Sequence, residues 1–139
     1  MDLPTLPSRP DLPPERRRVL LIDDNEDARE LLGMALELHG HQVATADGGI
    51  TGQARAREFG PDIVFLDLGM PGMDGYETAV ALRRLPGMAA ILIVALSGWS
   101  DQATLARVRS ARFDYHLSKP ADVRRINEFL RGDWTRLAG

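Results

Sequence analysis

The 139-residue chain is defined first by what it lacks. It has no cysteine, which excludes disulfide scaffolds, thiol catalysis and cysteine-ligated zinc or iron–sulfur sites. Its longest apolar run, residues 88–96, has nine residues and is too short to cross a membrane. The first ten residues have neither the basic nor the apolar part of a secretory signal. These absences predict a soluble, cytoplasmic domain without membrane contact.

Positive charge in excess is also missing. The net charge is −3, which argues against direct DNA binding by a strongly basic surface. Lysine is nearly absent, because sixteen of the 17 basic residues are arginine and Lys119 is the single exception. The lone lysine is either chance or the mark of a site that needs a compact ammonium group instead of a planar guanidinium.

Proline is concentrated at one end of the chain. Five of the nine prolines lie within residues 1–15, which predicts an extended linker or disordered extension, with a proline-rich docking ligand as the alternative. Residues 16–134 are predicted to form one domain, because this length suits a single hydrophobic core. Residues 135–139 are predicted to be a C-terminal tail.

Apolar segments alternate with segments of helical periodicity along this domain. Strands are predicted at 19–22, 42–46, 63–66, 91–96 and 115–118. A helix is predicted after each of them, the first ending at Gly40 and the last capped by Asp122. Three of the strand segments are apolar throughout, which is typical of strands buried on both faces. The pattern therefore predicts an α/β fold with a doubly wound, five-stranded parallel sheet and right-handed crossovers.

Polar residues follow four of the predicted strands. Asp23 and Asp24 follow the first, Asp67 the third, Ser97 the fourth and Lys119 the fifth. Because the carboxyl ends of parallel strands share one edge of the sheet, these side chains are predicted to converge. Oxygen ligands without histidine or cysteine favour Mg²⁺, with Mn²⁺ as a substitute. Taken singly, each residue also has an ordinary alternative, such as a helix cap, a turn hydroxyl or a solvated charge.

Four motifs, in this order and at these separations, resemble the receiver domains of two-component response regulators. They are VLLIDDNED, DIVFLDLGMPGMDGYE, ILIVALSG and HLSKP, and the likeness runs from about residue 17 to residue 130. The resemblance implies a flavodoxin-like sheet with strand order 2-1-3-4-5. It also implies a phosphorelay function, in which the chain receives a phosphoryl group from a sensor histidine kinase or a histidine phosphotransfer domain.

The resemblance assigns roles to individual residues. Asp67 is the expected phosphoacceptor and a metal ligand. Asp24 is expected to ligate Mg²⁺ directly, Asp23 largely through water, and Gly69 through its backbone carbonyl.

The phosphoryl group has its own expected partners. Ser97 supplies the hydroxyl that moves towards it, and Lys119 pairs with its oxygens, with a cis Lys119–Pro120 peptide. The chain is expected to catalyse its own phosphorylation, with possible autophosphatase activity, and to have no external substrate.

The chain departs from the family pattern at three positions. His116 stands at the switch position where tyrosine or phenylalanine is usual, and Tyr115 is predicted to face the other side of its strand. Trp99 is either an anchor for its loop or a barrier to hydrolytic water. Gly69 has no side chain with which to orient that water.

Other interpretations remain open. One is a receiver-like interaction module without phosphotransfer, and another is a phosphatase that forms an aspartyl phosphate, which would need a second aspartate where Gly69 stands. The chain is either a single-domain regulator or a receiver from a longer protein such as a hybrid histidine kinase. Residues 101–139 carry eight basic and five acidic residues, either a solvated face or the surface for an unknown downstream protein. A monomer or weak homodimer is expected.

Overall fold

The computed structural model describes residues 16–70, 74–89, 91–98, 102–119 and 123–130. Five features considered in the sequence analysis lie wholly or partly outside these residues: the linker at 1–15, the tail at 135–139, Trp99, the cap Asp122 and the Lys119–Pro120 peptide. None of the described helices is long and apolar enough to cross a membrane.

Five strands alternate with five helices, as the sequence predicts. The strands are β1 (Arg18–Ile22), β2 (Gln42–Ala46), β3 (Ile63–Asp67), β4 (Leu92–Ser97) and β5 (Tyr115–Ser118). The helices are α1 (Glu26–Leu38), α2 (Gly49–Phe59), α3 (Gly75–Arg84), α4 (Gln102–Ser110) and α5 (Val123–Leu130). Asp67 and Ser97 are the last residues of their strands, whereas the sequence pattern placed them just beyond.

The strands form one parallel sheet in the order β2-β1-β3-β4-β5, which confirms the predicted topology. In the pairing register Ile22 lies opposite both Ala46 and Leu66, Asp67 opposite Leu96, and Ser97 opposite Ser118. The carboxyl ends of neighbouring strands therefore meet at one edge of the sheet.

Both faces of the sheet are covered, and each carries its own hydrophobic core. On one face Leu20, Val64 and Ile93 pack in a cluster that includes residues of α2, α3 and α4. On the other face Phe65 packs in a cluster that includes residues of α1 and α5. Every residue of β3 is buried, which explains why its sequence does not alternate between apolar and polar residues.

Two helix starts fix the loops that carry the polar residues. The side chain of Asn25 caps α1 by accepting from the Ala28 N–H at 3.0 Å, and Asp74 caps α3 by accepting from Glu77 N–H at 2.9 Å. At Gly75 an added Cβ would lie 2.5 Å from the carbonyl oxygen of Asp67, so α3 begins against the end of β3. Only glycine permits this approach.

Candidate functional site

Three carboxylates meet where β1 and β3 end. One oxygen each of Asp23, Asp24 and Asp67 lies within 4.8 Å of the others. Asp23 and Asp67 are buried, whereas Asp24 is exposed. They come together because β1 and β3 are adjacent, and because the turn into α1 holds Asp23 by two local bonds. Its Oδ1 accepts from the Asn25 N–H at 2.9 Å, and its carbonyl accepts from the Arg29 guanidinium at 2.8 Å.

The only lysine of the chain reaches this cluster from the end of β5. Lys119 Nζ lies 3.1 Å from Asp67 Oδ1 and 3.6 Å from Asp23 Oδ2. The Gly69 N–H donates to the same Asp67 oxygen at 3.1 Å. The predicted convergence of side chains from separate strand ends is therefore present in the fold.

Burial and neighbouring charges perturb two groups of this cluster. Burial raises the pKa of Asp23 and the charge of Asp67 adds to the rise, while the Asn25 N–H and Lys119 oppose it. Burial alone would lower the pKa of Lys119, but its hydrogen bond to Asp67 and the charges of Asp67 and Asp23 outweigh this and raise it. Lys119 is therefore held as an ammonium between the carboxylates of Asp67 and Asp23.

The donor set suits a small, hard cation. All three side chains offer carboxylate oxygens, and their mutual repulsion is the kind that a divalent ion relieves. The acidic triad is the set of side-chain ligands that the resemblance to receiver domains implies.

Ser97 lies on the side of β3 that faces away from β1. A pocket of about 430 Å³ has Asp67, Gly69, Ser97 and Lys119 in its lining. Ser97 is buried and ends β4, the strand next to β3. The pocket thus brings the expected acceptor carboxylate, the hydroxyl and the ammonium to one cavity.

His116 and Tyr115 point to opposite faces of β5, as alternation predicts. Tyr115 is buried in the cluster that α1 and α5 cover, together with Leu117. His116 is half-buried, and its Nε2 is buried without a hydrogen-bond partner among the residues that the structure describes.

The rim of the pocket holds residues that sequence reasoning missed. Arg107 of α4 places its guanidinium carbon 3.8 Å from the ring centre of Tyr76, and its Nη2 lies 3.9 Å from Asp74 Oδ2. Tyr76 and Arg107 both line the pocket. In the sequence, Arg107 is one of several basic residues in 101–139, which are predicted to form either a solvated face or a surface for a downstream protein, and nothing local distinguishes it from Arg109.

An apolar groove adjoins the carboxylate cluster on the other side. It has a volume of about 490 Å³, and Asp23 and Lys119 lie in its lining beside Leu31, Leu96 and Val123. Leu31 is 72% exposed. Met34 and Leu38 continue the exposed apolar stripe along α1. The groove therefore offers apolar contact area beside the charged site.

Known proteins resemble this chain in both sequence and structure. The family model of the response regulator receiver domain matches residues 19–131. Protein PilH of Pseudomonas aeruginosa is 36% identical over 121 residues, which cover 83% of this chain and 98% of PilH. The DNA-binding regulator RpaA of Synechocystis is 34% identical over 118 residues, but the chain spans only 49% of the length of RpaA.

A solved structure gives the same picture of the fold. The chemotaxis protein CheY4 of Vibrio cholerae superposes with a TM-score of 0.79 at 24% identity, covering 88% of this chain and 98% of CheY4. The strand order, the acidic cluster and the family match over most of the chain all agree. The chain therefore belongs to the receiver domain family of response regulators.

Proposed function

We propose that this receiver takes a phosphoryl group from a phosphohistidine of a partner kinase onto Asp67. One observation carries the proposal. The Asp67 carboxylate is buried at a strand end, 3.1 Å from Lys119 Nζ and close to two further carboxylates. An acceptor needs this combination of a held nucleophile and cations that offset the incoming negative charge.

The transfer joins one oxygen of Asp67 to phosphorus while the bond between phosphorus and the donor's imidazole nitrogen breaks. The electron pair of that bond returns to the imidazole. When bound, Mg²⁺, for which Mn²⁺ would substitute, neutralises part of the charge of the carboxylates and of the phosphoryl oxygens. Asp24, Asp23 and the Gly69 carbonyl are the proposed further ligands besides Asp67.

Lys119 and Ser97 have separate proposed roles. Lys119 orients Asp67 before transfer and binds a phosphoryl oxygen afterwards. Ser97 donates a hydrogen bond to another phosphoryl oxygen from the same pocket. Because the transition state of phosphoryl transfer is loose, these groups act mainly by positioning and by electrostatic stabilisation.

The partner is proposed to be a sensor histidine kinase or a histidine phosphotransfer domain, which places the reaction in the cytoplasm. The groove beside Asp23 and Lys119 supports docking of such a donor, because it offers apolar contact area next to the acceptor site. Movement of Ser97 and His116 on phosphorylation is proposed to alter the face that binds a downstream protein.

Intact mass after incubation with Mg²⁺ and acetyl phosphate tests the acceptor. Wild type is expected to gain one phosphoryl group, and Asp67→Asn none, because the amide is not a nucleophile. Asp27→Asn, an exposed aspartate in the first turn of α1, is the matched control and should gain the group as wild type does. Equal incorporation by Asp67→Asn and wild type would contradict the assignment.

A second measurement separates the proposal from an interaction module that receives no phosphoryl group. Calorimetric titration with Mg²⁺ should detect binding to wild type and little binding to Asp67→Asn. A wild-type protein that neither binds Mg²⁺ nor accepts a phosphoryl group from acetyl phosphate or a kinase would favour the interaction module.

A further inference from the structure

We propose that Arg107 gives up its contacts with Asp74 and Tyr76 when Asp67 is phosphorylated. It then binds the phosphoryl group on Asp67 as a second cation. This inference rests on the proposed function, since it requires that Asp67 be phosphorylated. It assigns Arg107 a direct binding role: the side chain contacts the phosphoryl group and makes the placement of α4 depend on the state of Asp67.

Arg107 lines the same pocket as Asp67, the proposed acceptor. Among the described residues that line it, the cationic side chains are those of Lys119, at the end of β5, and Arg107, on α4. The two cations therefore approach the same cavity from different elements. Lys119 already contacts Asp67 and Asp23, whereas Arg107 contacts neither.

The present contacts of Arg107 are easily broken. Its ion pair with Asp74 is long, at 3.9 Å, and its side chain is 62% exposed. Exposed pairs of this kind contribute little to stability. The stacking on Tyr76 holds the guanidinium at the rim without satisfying its hydrogen-bond donors. Both contacts thus hold the Arg107 side chain weakly beside the pocket and leave it able to move.

Phosphorylation creates a charge that the existing groups leave uncompensated. Before transfer, Lys119 together with one bound divalent cation would offset the three carboxylates. The acyl phosphate carries one negative charge more than the carboxylate it replaces, so the site then lacks one positive charge. Arg107 meets this need, because its guanidinium binds two phosphoryl oxygens at once and is always charged.

Asp74 competes with the phosphoryl group for the guanidinium of Arg107. Its Oδ1 accepts from the Glu77 N–H and caps α3, while its Oδ2 faces Arg107. Asparagine is as good an N-cap as aspartate, so Asp74→Asn removes the charge that holds Arg107 and keeps the cap. The variant is therefore expected to release Arg107 towards the phosphoryl site.

The affinity for beryllofluoride, a mimic of the phosphoryl group, in saturating Mg²⁺ tests the exchange. Arg107→Gln is expected to lower this affinity about tenfold, the effect of one charged hydrogen-bonded contact. Arg109→Gln, an exposed arginine of the same helix, should leave it unchanged. Arg107→Lys should restore part of the loss, and Mg²⁺ affinity should be equal in all these proteins.

A double-mutant cycle gives the decisive readout. Asp74→Asn should raise beryllofluoride affinity in wild type and should have a much smaller effect in Arg107→Gln. An equal effect in both backgrounds would mean that the charge of Asp74 acts on beryllofluoride at long range and not through Arg107. That result would overturn the proposal that Arg107 exchanges Asp74 for the phosphoryl group. Equal affinity of Arg107→Gln and Arg109→Gln would also overturn it.

The controls separate this inference from the function on which it rests. If wild type gains a phosphoryl group and binds beryllofluoride but Arg107→Gln does so equally well, only the role of Arg107 fails. If wild type does neither, the proposed function fails and the inference falls with it. Thermal melting checks that the variants remain folded.

Discussion

Charged groups are paired differently at the two ends of the parallel strands, the amino edge, where the strands begin, and the carboxyl edge, where they end. At the amino edge, Arg83 donates to the carbonyls of Ala89, Ile91 and Arg112 and pairs with Asp114 at 2.7 Å. At the carboxyl edge, three carboxylates lie close together, and Lys119 contacts two of them, Asp23 and Asp67. The first arrangement is complete within the protein, whereas the second becomes balanced only with a bound cation. Charged groups that stabilise the fold are thus separated from those available for chemistry.

A buried histidine illustrates the complete arrangement at the amino edge. His41 Nδ1 accepts from the Arg17 N–H at 2.9 Å, and Nε2 lies 2.7 Å from Asn127 Oδ1. This pairing fits a neutral ring with its proton on Nε2. Arg17 also donates through Nε to the carbonyl of Leu130 at 3.2 Å. These bonds connect the residues just before β1 and β2 with α5.

The largest expected effect comes from removing the cation of the ion pair at the amino edge. Arg83→Met should lower the free energy of unfolding by about 3 kcal/mol, because it leaves the partly buried Asp114 carboxylate without its cation. Urea denaturation measures this change. Arg84→Met, an exposed neighbour on α3, should change stability by less than about 0.5 kcal/mol. Equal destabilisation by the two variants would mean that the Arg83 network has no special role.

A smaller effect is expected where packing fixes the carboxyl edge. Gly75→Ala should cost about 2 kcal/mol, because its Cβ would lie 2.5 Å from the Asp67 carbonyl oxygen and 2.7 Å from Leu68 Cα, both backbone atoms. The forced shift of α3 should also slow phosphorylation of Asp67. Gly98→Ala, where an added Cβ meets no atom within 4 Å, is the control for stability. A fully stable Gly75→Ala protein would contradict the close contact.

The smallest expected effect is an increase in stability, and it tests the excess negative charge of the carboxylate cluster. Asp23→Asn should stabilise the metal-free protein by about 1 kcal/mol at neutral pH, while it weakens Mg²⁺ binding. The pKa of Asp23 is raised in the fold, so the folded state binds its proton more tightly than the unfolded state. The contribution of Asp23 to stability therefore falls as the pH rises from the ordinary value of 3.8 through the raised pKa.

Urea denaturation of the metal-free protein across this pH range measures the difference. Asp23→Asn should be missing that part of the pH dependence. Asp27→Asn, an exposed aspartate of α1, should retain it. A metal-free Asp23→Asn protein that is less stable than wild type at neutral pH would mean that Lys119 and the Asn25 N–H already compensate the buried carboxylate.

Local patterns in the sequence predicted the strands, the helices and the convergence of polar residues at the strand ends, whereas the strand order was implied by the resemblance to receiver domains. Apolar runs such as 63–66 predicted strands buried on both faces, because a strand covered on two sides has no polar position. Parallel strands then require that Asp23, Asp67, Ser97 and Lys119 meet at one edge. The contacts of Lys119 with two aspartates follow from this topology once the strand order is known.

The rim of the site depends on packing that no local pattern specifies. Arg107 and Arg109 look equivalent in the sequence, yet only the rotation of α4 against α3 places Arg107 over Tyr76 and beside Asp74. The same holds for Gly75, whose contact with Asp67 arises from the closeness of α3 to β3. Strand ends are fixed by backbone hydrogen bonds of regular geometry, whereas contacts between helices depend on the shapes of all the side chains packed between them.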